Sequence, residues 1–236
     1  VSSLLTATSL GTVIGQASTA NSDRSVSQIQ DRDGLLLGTV DGEGYLTEYR
    51  YDAAGRVIGS VRYAQPVAGG AAAGLAAARA GYLSGLLPAS SAGDTHTAAF
   101  YDAQGRRVGE LDAEGYLTQS SYDANGNLAT VRRYATAVGS ITAAQVTAAT
   151  RLESLLPGIS AQDQVSTRTY DALNRVALSV NAEGTATSYR YDAMGRLVET
   201  VQAAGTQEAR TTGVRYDAQG RLVGELSAQG AAQLAM

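Results

Sequence analysis

Residues 101–126 read Tyr101-Asp-Ala-Gln-Gly-Arg-Arg-Val-Gly-Glu-Leu-Asp112-Ala-Glu-Gly-Tyr-Leu-Thr-Gln-Ser-Ser-Tyr122-Asp-Ala-Asn-Gly126. Three times here an Asp is followed three residues later by a Gly, and the Asp positions 102, 112 and 123 stand 10 and 11 apart. An Asp side chain accepts hydrogen bonds from the backbone two residues on, and Gly takes positive φ without a Cβ clash. Each Asp-x-x-Gly is therefore a turn. The six or seven residues between turns have the residue types and alternation of a strand. One strand and one turn in every 10 or 11 residues makes an antiparallel meander.

The unit recurs along the chain. Tyr51-Asp52-Ala-Ala-Gly55-Arg56, Tyr101-Asp102-Ala-Gln-Gly105-Arg106, Tyr191-Asp192-Ala-Met-Gly195-Arg196 and Tyr216-Asp217-Ala-Gln-Gly220-Arg221 carry it in full. Tyr122-Asp123-Ala-Asn-Gly126 lacks the Arg, and Tyr170-Asp171-Ala-Leu-Asn174-Arg175 has Asn174 in the Gly position. Asn is the next most tolerant residue of the left-handed region. Partner turns begin at Asp31, Asp41, Asp112, Asn181 and Ser227. Within 45–51, period two puts Tyr45, Thr47, Tyr49 and Tyr51 on one face and Leu46, Glu48 and Arg50 on the other. About eleven turns imply about eleven strands, a mainly β sheet ~50 Å wide at ~4.8 Å per strand. Such a strip has two edges of unpaired backbone groups. Further repeats of the same chain, or identical chains meeting edge to edge or end to end, are expected to continue it.

A longer period overlies the short one. Arg62-Tyr-Ala64 returns as Arg133-Tyr-Ala135, 71 residues on, and Leu86-Leu-Pro88 as Leu155-Leu-Pro157, 69 on. Asp23, Asp94 and Asp163 each precede a turn Asp by 8 residues, where they can cap the start of a strand or pair with an Arg such as Arg56 or Arg106. The first insertion has a helical stripe of Leu75, Arg79, Tyr82, Leu83 and Leu86 before Pro88. The second has a capping box of Thr142 and Gln145, a staple of Ile141 and Val146, and a stripe of Val146, Ala149, Leu152 and Leu156 that stops at Pro157. The third, 202–213, is too short for a helix. The expected organisation is the irregular or helical end of a preceding insertion over 1–22, strands over 23–62, a helical insertion over 63–93, strands over 94–135, a helical insertion over 136–162 and strands over 163–236.

Composition narrows the chemistry. Among 236 residues there is no Cys, one His, and no Lys, so all 18 basic residues are Arg. Disulfides, thiolate metal sites, histidine relays and lysine Schiff bases are excluded. A net charge of −4 without a basic run argues against nucleic acid. No apolar run approaches the ~18 residues of a membrane span, and 1–20, broken by Gly11 and Gly15, reads as neither span nor signal peptide. The start at Val1 reads as that of a processed product or of a segment of a longer chain.

The repeated Tyr-Asp-Ala-x-Gly-Arg unit with partner turns about ten residues away resembles the RHS/YD-repeat family, which includes bacterial Rhs proteins, C components of insecticidal toxin complexes and teneurins. The resemblance covers roughly 23–236 apart from the insertions. It implies a β-sheet that spirals into a hollow shell, often enclosing a C-terminal toxin. The family's C-terminal core motif with Asp-Pro pairs has no counterpart here, so neither self-cleavage nor a toxin payload is carried over.

Candidate sites are weighed against turn chemistry. Asp31-Arg-Asp-Gly34 and Asp41-Gly-Glu-Gly44 look like the beginnings of calcium loops, but such a site needs six to eight converging oxygens, and no metal or cofactor is expected. Asp112 and Glu114 could form a glycosidase pair, yet a catalytic Asp has no reason to recur at every turn, so no enzyme activity is expected. His96, in a polar loop, is expected to be solvated. Tyr rows could stack on sugars; their recurrence favours cross-strand packing. The Arg after each turn is expected to pair with an acid of a neighbouring strand. The chain is read as a non-enzymatic structural module of a shell, stalk or fibre in a large bacterial protein, secreted or on the cell surface. An adhesin module gripping glycan or a host surface is the alternative, and the wall of a toxin-enclosing cocoon a further one.

Overall fold

A computed structural model describes residues 26–83, 85–139, 141, 145, 147 and 149–227. The segment 1–22, Asp23, the proposed Thr142 cap, Val146 and the turn beyond Ser227 lie outside the described residues. The strands are β1 (Ser27–Gln30), β2 (Leu36–Val40), β3 (Tyr45–Tyr51), β4 (Val57–Pro66), β5 (Thr95–Tyr101), β6 (Arg107–Leu111), β7 (Leu117–Tyr122), β8 (Leu128–Arg133), β9 (Gln164–Tyr170), β10 (Val176–Val180), β11 (Ala186–Tyr191), β12 (Leu197–Gln202), β13 (Arg210–Tyr216) and β14 (Leu222–Leu226). One helix, α1 (Gly70–Ala80), and a 3₁₀ turn (Leu152–Ser154) complete the described elements. Strands neighbour one another in strict chain order, and every described pairing is antiparallel. The fold is the expected mainly β meander. Among the described residues it has fourteen strands rather than about eleven, because insertions join neighbouring strands just as turns do.

The chain divides into two compact units, Val1–Thr97 with Thr142–Ala149, and Ala98–Ile141 with Thr150–Met236. In the first, Ile29, Val40, Leu46, Val61, Tyr63, Val67 and Ala77 form a buried core, with Leu37, Ala73, Ala78, Leu83 and Leu86 packed against it. The helix does not bury the expected stripe. Leu75 is 48% exposed and Tyr82 54%, whereas Gly74 and Ala77 are buried. A Cβ at Gly74 would stand 2.6 Å from the Val40 Cβ, so the helix approaches the sheet by its smallest residues. It ends at Gly81, in the left-handed conformation, whose N–H bonds the Ala77 carbonyl. Leu83 and Leu86, expected inside the helix, lie beyond that stop. Leu83 sits over Gly38, where a Cβ would meet its Cδ2 at 3.2 Å.

The second unit repeats this arrangement with a different plug. Ala98, Phe100, Leu111, Leu117, Tyr134 and Leu152 are buried, and Leu152 stands over Gly109 as Leu83 stands over Gly38, its Cδ1 2.6 Å from where a Cβ would lie. Val40, Leu46, Tyr63 and Gly38 thus have counterparts 71 residues on in Leu111, Leu117, Tyr134 and Gly109. The helix expected in the second insertion is replaced, among the described residues, by the 3₁₀ turn that carries Leu152. β-branched Thr147 and Thr150 disfavour helix there. From β9 to β14 no described residue is fully buried. Leu178 stands where the earlier repeats have the socket glycine, and the short connection from β12 to β13 has no helix.

Candidate functional site

The repeated unit is the chemistry that recurs most often among the described residues, and its geometry begins with the turn Asp. In the turn at Asp102, Oδ1 accepts the N–H groups of Gln104 (3.0 Å) and Arg106 (2.9 Å). The Gly105 N–H donates to the Asp102 carbonyl, and the Asp102 N–H to that of Arg106. This is a type I turn closed by a glycine bulge. Gly105 sits at φ 79 and Asn174, its counterpart, at φ 59. The same bonds hold the turns at Asp52, Asp123, Asp171, Asp192 and Asp217, and those at Asp31, Asp41 and Asp112. Gly55, Gly126, Gly195 and Gly220 take the positive-φ position. The calcium-like sequences are turns of this kind, and among the described residues no cluster of three or more His, Cys, Asp or Glu could hold a metal ion.

The Arg that closes each turn bonds its own Asp rather than an acid of a neighbouring strand. Nε of Arg56, Arg106, Arg175, Arg196 and Arg221 lies 2.7 Å from Oδ2 of Asp52, Asp102, Asp171, Asp192 and Asp217. These partners set the charge state of the Asp. The Arg56 guanidinium, then the Arg56 N–H, holds Asp52 below the usual carboxylate range, as Arg175 does for Asp171. At Asp192 and Asp217 the backbone N–H of Arg196 and Arg221 leads. At Asp102 burial pushes upward and is outweighed by the Arg106 N–H and guanidinium.

Having bonded its own Asp, the guanidinium reaches the next unit. Arg106 stacks over the Tyr122 ring at 4.4 Å, Arg175 over Tyr191 at 4.3 Å and Arg196 over Tyr216 at 4.5 Å. Each Tyr hydroxyl then donates to the first carbonyl of the adjacent strand: Tyr51 to Leu36, Tyr122 to Arg107, Tyr170 to Leu128, Tyr191 to Val176 and Tyr216 to Leu197. Tyr101 ends β5 in the same position of its unit. Asp-x-x-Gly closes one hairpin, and Arg and Tyr fasten it to the next. Sequence reading placed the Tyr in cross-strand packing and missed the hydroxyl bond, which a fixed spacing of 15 residues between donor and acceptor signals in three of these pairs.

A second set of contacts holds the insertions. Asp94 accepts the Ala64 and Ser91 N–H groups and the Ser91 hydroxyl. Asp163 accepts the Ala135 and Ser160 N–H groups and Arg132 Nη1. Their partners are the feet of the insertion loops and, for Asp163, Arg132, rather than Arg56 or Arg106. Tyr63 and Tyr134 donate to Glu48 Oε2 and Gln119 Oε1, each at 2.7 Å; burial and the Glu48 carboxylate push the Tyr63 phenol above its ordinary value. Arg62 stacks on Tyr45 and bonds Asp41, and Arg133 does the same with Tyr116 and Asp112. His96 corrects the expectation of a solvated loop. It lies in β5, 9% exposed, with Nε2 unpartnered. Burial pushes the imidazole down against the opposing pull of Asp94, and Arg50 adds to the lowering.

A meander whose recurring side chains fasten strand to strand defines a repeat protein. The RHS Repeat model matches residues 31–67, 101–137 and 170–207, and these three segments are RHS repeats. These are the three super-repeats up to the feet of their insertions. No curated protein sequence matches the chain. Among solved structures it is similar to TcdB2–TccC3 without the hypervariable C-terminal region (14% identity, TM-score 0.56) and to the TcdB2–TccC3–Cdc42 complex (13%, 0.55). In each, the match covers 87% of this chain and 9% of the other, so this chain spans a small part of those it resembles, and the likeness is one of fold.

Proposed function

We propose that the chain is a non-enzymatic length of wall: a structural module of a β-sheet shell in a large bacterial protein, secreted or cell-associated. The observation that supports this is the use of the recurring side chains. Asp, Gly, Arg and Tyr of each unit bond the turn, the adjacent strand or the next unit, so the repeated chemistry goes into continuity of the sheet. The family resemblance, which implies a sheet that spirals into a hollow shell, favours a shell over a stalk or fibre, the likeness of fold to TcdB2–TccC3 is in keeping with it, and the further repeats that would complete it are its natural partners.

The test is electron microscopy of the native polypeptide with and without residues 26–227. A hollow particle that opens, and whose interior becomes protease-sensitive on deletion, is the expected result. An unchanged particle overturns the reading.

A further inference from the structure

The third position of the six Tyr-Asp turns is Ala54, Gln104, Asn125, Leu173, Met194 or Gln219. Only at Asn125-Gly126 does an Asn precede a Gly, and no other Asn of the chain does so. That pair has a chemistry of its own. The backbone nitrogen after an Asn closes a five-membered ring when it attacks the side-chain carbonyl carbon, and a glycine there carries no side chain to crowd the approach. Asn127, Asn174 and Asn181 are followed instead by Leu128, Arg175 and Ala182. Gln104 and Gln219, which do precede glycines, are a methylene too long for that ring.

The fold leaves this pair free to react. Asn125 and Gly126 are exposed. Asn125 is bonded through its backbone N–H, to Asp123 Oδ1 at 2.9 Å, and its side-chain amide has no partner among the described residues. The turn also lacks the ion pair that closes the other five. There an Arg Nε lies 2.7 Å from the Asp Oδ2, whereas Asp123 Oδ2 accepts the neutral Asn127 amide at 3.0 Å. The Gly126 nitrogen is held by one bond, to the Asp123 carbonyl at 3.0 Å, which local opening of the turn releases. Arg106 Nη1 lies 3.5 Å from where a Gly126 Cβ would stand, and a neighbouring cation favours the anionic form of the attacking nitrogen.

We propose that Asn125 and Gly126 form a self-modification site, at which the chain converts its own amide to an aspartyl or isoaspartyl acid. The Gly126 nitrogen gives its proton to hydroxide and attacks Asn125 Cγ; the bond from Cγ to the side-chain nitrogen breaks, and that nitrogen leaves as ammonia. Water then opens the succinimide at either carbonyl. The net change is a water taken up and an ammonia released, with no oxidation or reduction. Opening at the backbone carbonyl gives isoaspartyl, whose chain runs through Cβ and Cγ and lengthens the turn by an atom. Asp123 Oδ1 then no longer holds together the N–H groups of 125 and Asn127, now 2.9 and 2.8 Å from it. The Asn127 amide is drawn away from Asn174 Oδ1, 2.9 Å from it, and that contact joins the β7–β8 hairpin to the β9–β10 hairpin. Modification thus slackens, irreversibly and with age, the join between the second and third super-repeats. The assignment does not depend on the wall reading.

The test is incubation of the folded 236-residue chain at about pH 6 and about pH 8, then tryptic digestion and fragmentation mass spectrometry of peptide 108–132, which carries both Asn125 and Asn127. Conversion of amide to acid at 125 is expected ahead of every other Asn, faster in proportion to hydroxide and with isoaspartyl the larger product. Asn125→Gln, which places there the residue that two other turns use, should abolish it and leave the melting temperature unchanged. Asn127→Arg/Asn174→Gly supplies the missing ion pair and guanidinium stack, and should slow conversion about ten-fold, the worth of those two contacts against opening of the turn. Amide hydrogen exchange in β8 and β9 should quicken in the aged chain and not in aged Asn125→Gln. No conversion of the folded chain in a period that fully converts the urea-unfolded chain, conversion no faster at Asn125 than at Asn127, or aged and fresh chains that exchange alike would overturn the proposal.

Discussion

At the scale of the residue, one exception explains the rule. In three turns the guanidinium lies against the positive-φ residue of the next unit: a Cβ would meet Arg106 Nη1 at 3.5 Å at Gly126, Arg175 Nη1 at 3.7 Å at Gly195 and Arg196 Nη1 at 3.5 Å at Gly220. Gly is wanted there for its φ; a Cβ would make only ordinary contact with the guanidinium, and it is a longer side chain that would compete with it. At Asn174 the preceding unit supplies Asn127 instead of Arg, and the shorter side chain donates to both Asp123 Oδ2 (3.0 Å) and Asn174 Oδ1 (2.9 Å). The two departures from the motif are thus one feature. Asn127→Arg alone brings a guanidinium against the Asn174 side chain and should lower the melting temperature. Adding Asn174→Gly restores the pairing used elsewhere and should recover most of the loss. A thermal double-mutant cycle reads the coupling; additive losses would show that the two positions do not act as a pair.

At the scale of the element, turn and helix differ in what fixes them. A turn is settled within five residues by Asp, Gly and the N–H groups between them, whereas α1 is settled by its contact with the sheet. Gly74→Ala makes the difference measurable. Intrinsic helix propensity gains about 1 kcal/mol from this change. The new Cβ, however, would stand 2.6 Å from the Val40 Cβ and 2.8 Å from Cγ1, a branched side chain whose Cβ cannot swing away. Overpacking of this kind costs about 1–3 kcal/mol, so the variant should be less stable, by about 1 kcal/mol on balance, in urea unfolding. A more stable variant would show that the helix does not press on Val40. The same contrast decides what sequence could tell. Strands, turns and the 70-residue period were legible because each is written in a few adjacent residues or in exact recurrence. The buried face of α1 was not, because Leu75 outweighs Gly74 and Ala77 on any apolar scale while the sheet selects for closeness. His96 and the closing Arg residues were misread for the same reason: Gly, Ser and Thr around His96 suggested a loop, and the Arg target depends on where the next turn stands.

At the scale of the molecule, each strand pairs only with those before and after it in the chain, so its stability is built from many similar local locks, and acid should act on all of them. Asp52, Asp102, Asp123, Asp171, Asp192 and Asp217 in the turns, and Asp94 and Asp163 at the insertions, are all held below the ordinary carboxylate value by their hydrogen-bond partners. A carboxyl with a depressed folded value adds stability that is complete above its unfolded value of about 4 and is lost as pH falls through the folded one. His96 works at a different pH. Burial depresses its folded value, so below about 6.5 the unfolded chain takes up a proton that the folded chain refuses. Stability should be level from pH 8 to about 6.5, then fall by at most about 1.4 kcal/mol per pH unit, the slope of one proton. Below about pH 4 it should fall several times more steeply as the turns protonate together. His96→Gln removes the ionisable group and should flatten the upper limb while leaving the lower one in place. Urea midpoints measured from pH 3 to 8 on both proteins check this. An upper limb unchanged in the variant would mean that His96 is not buried neutral, and a lower limb with the slope of a single proton would mean that the turn carboxylates do not hold the sheet in common.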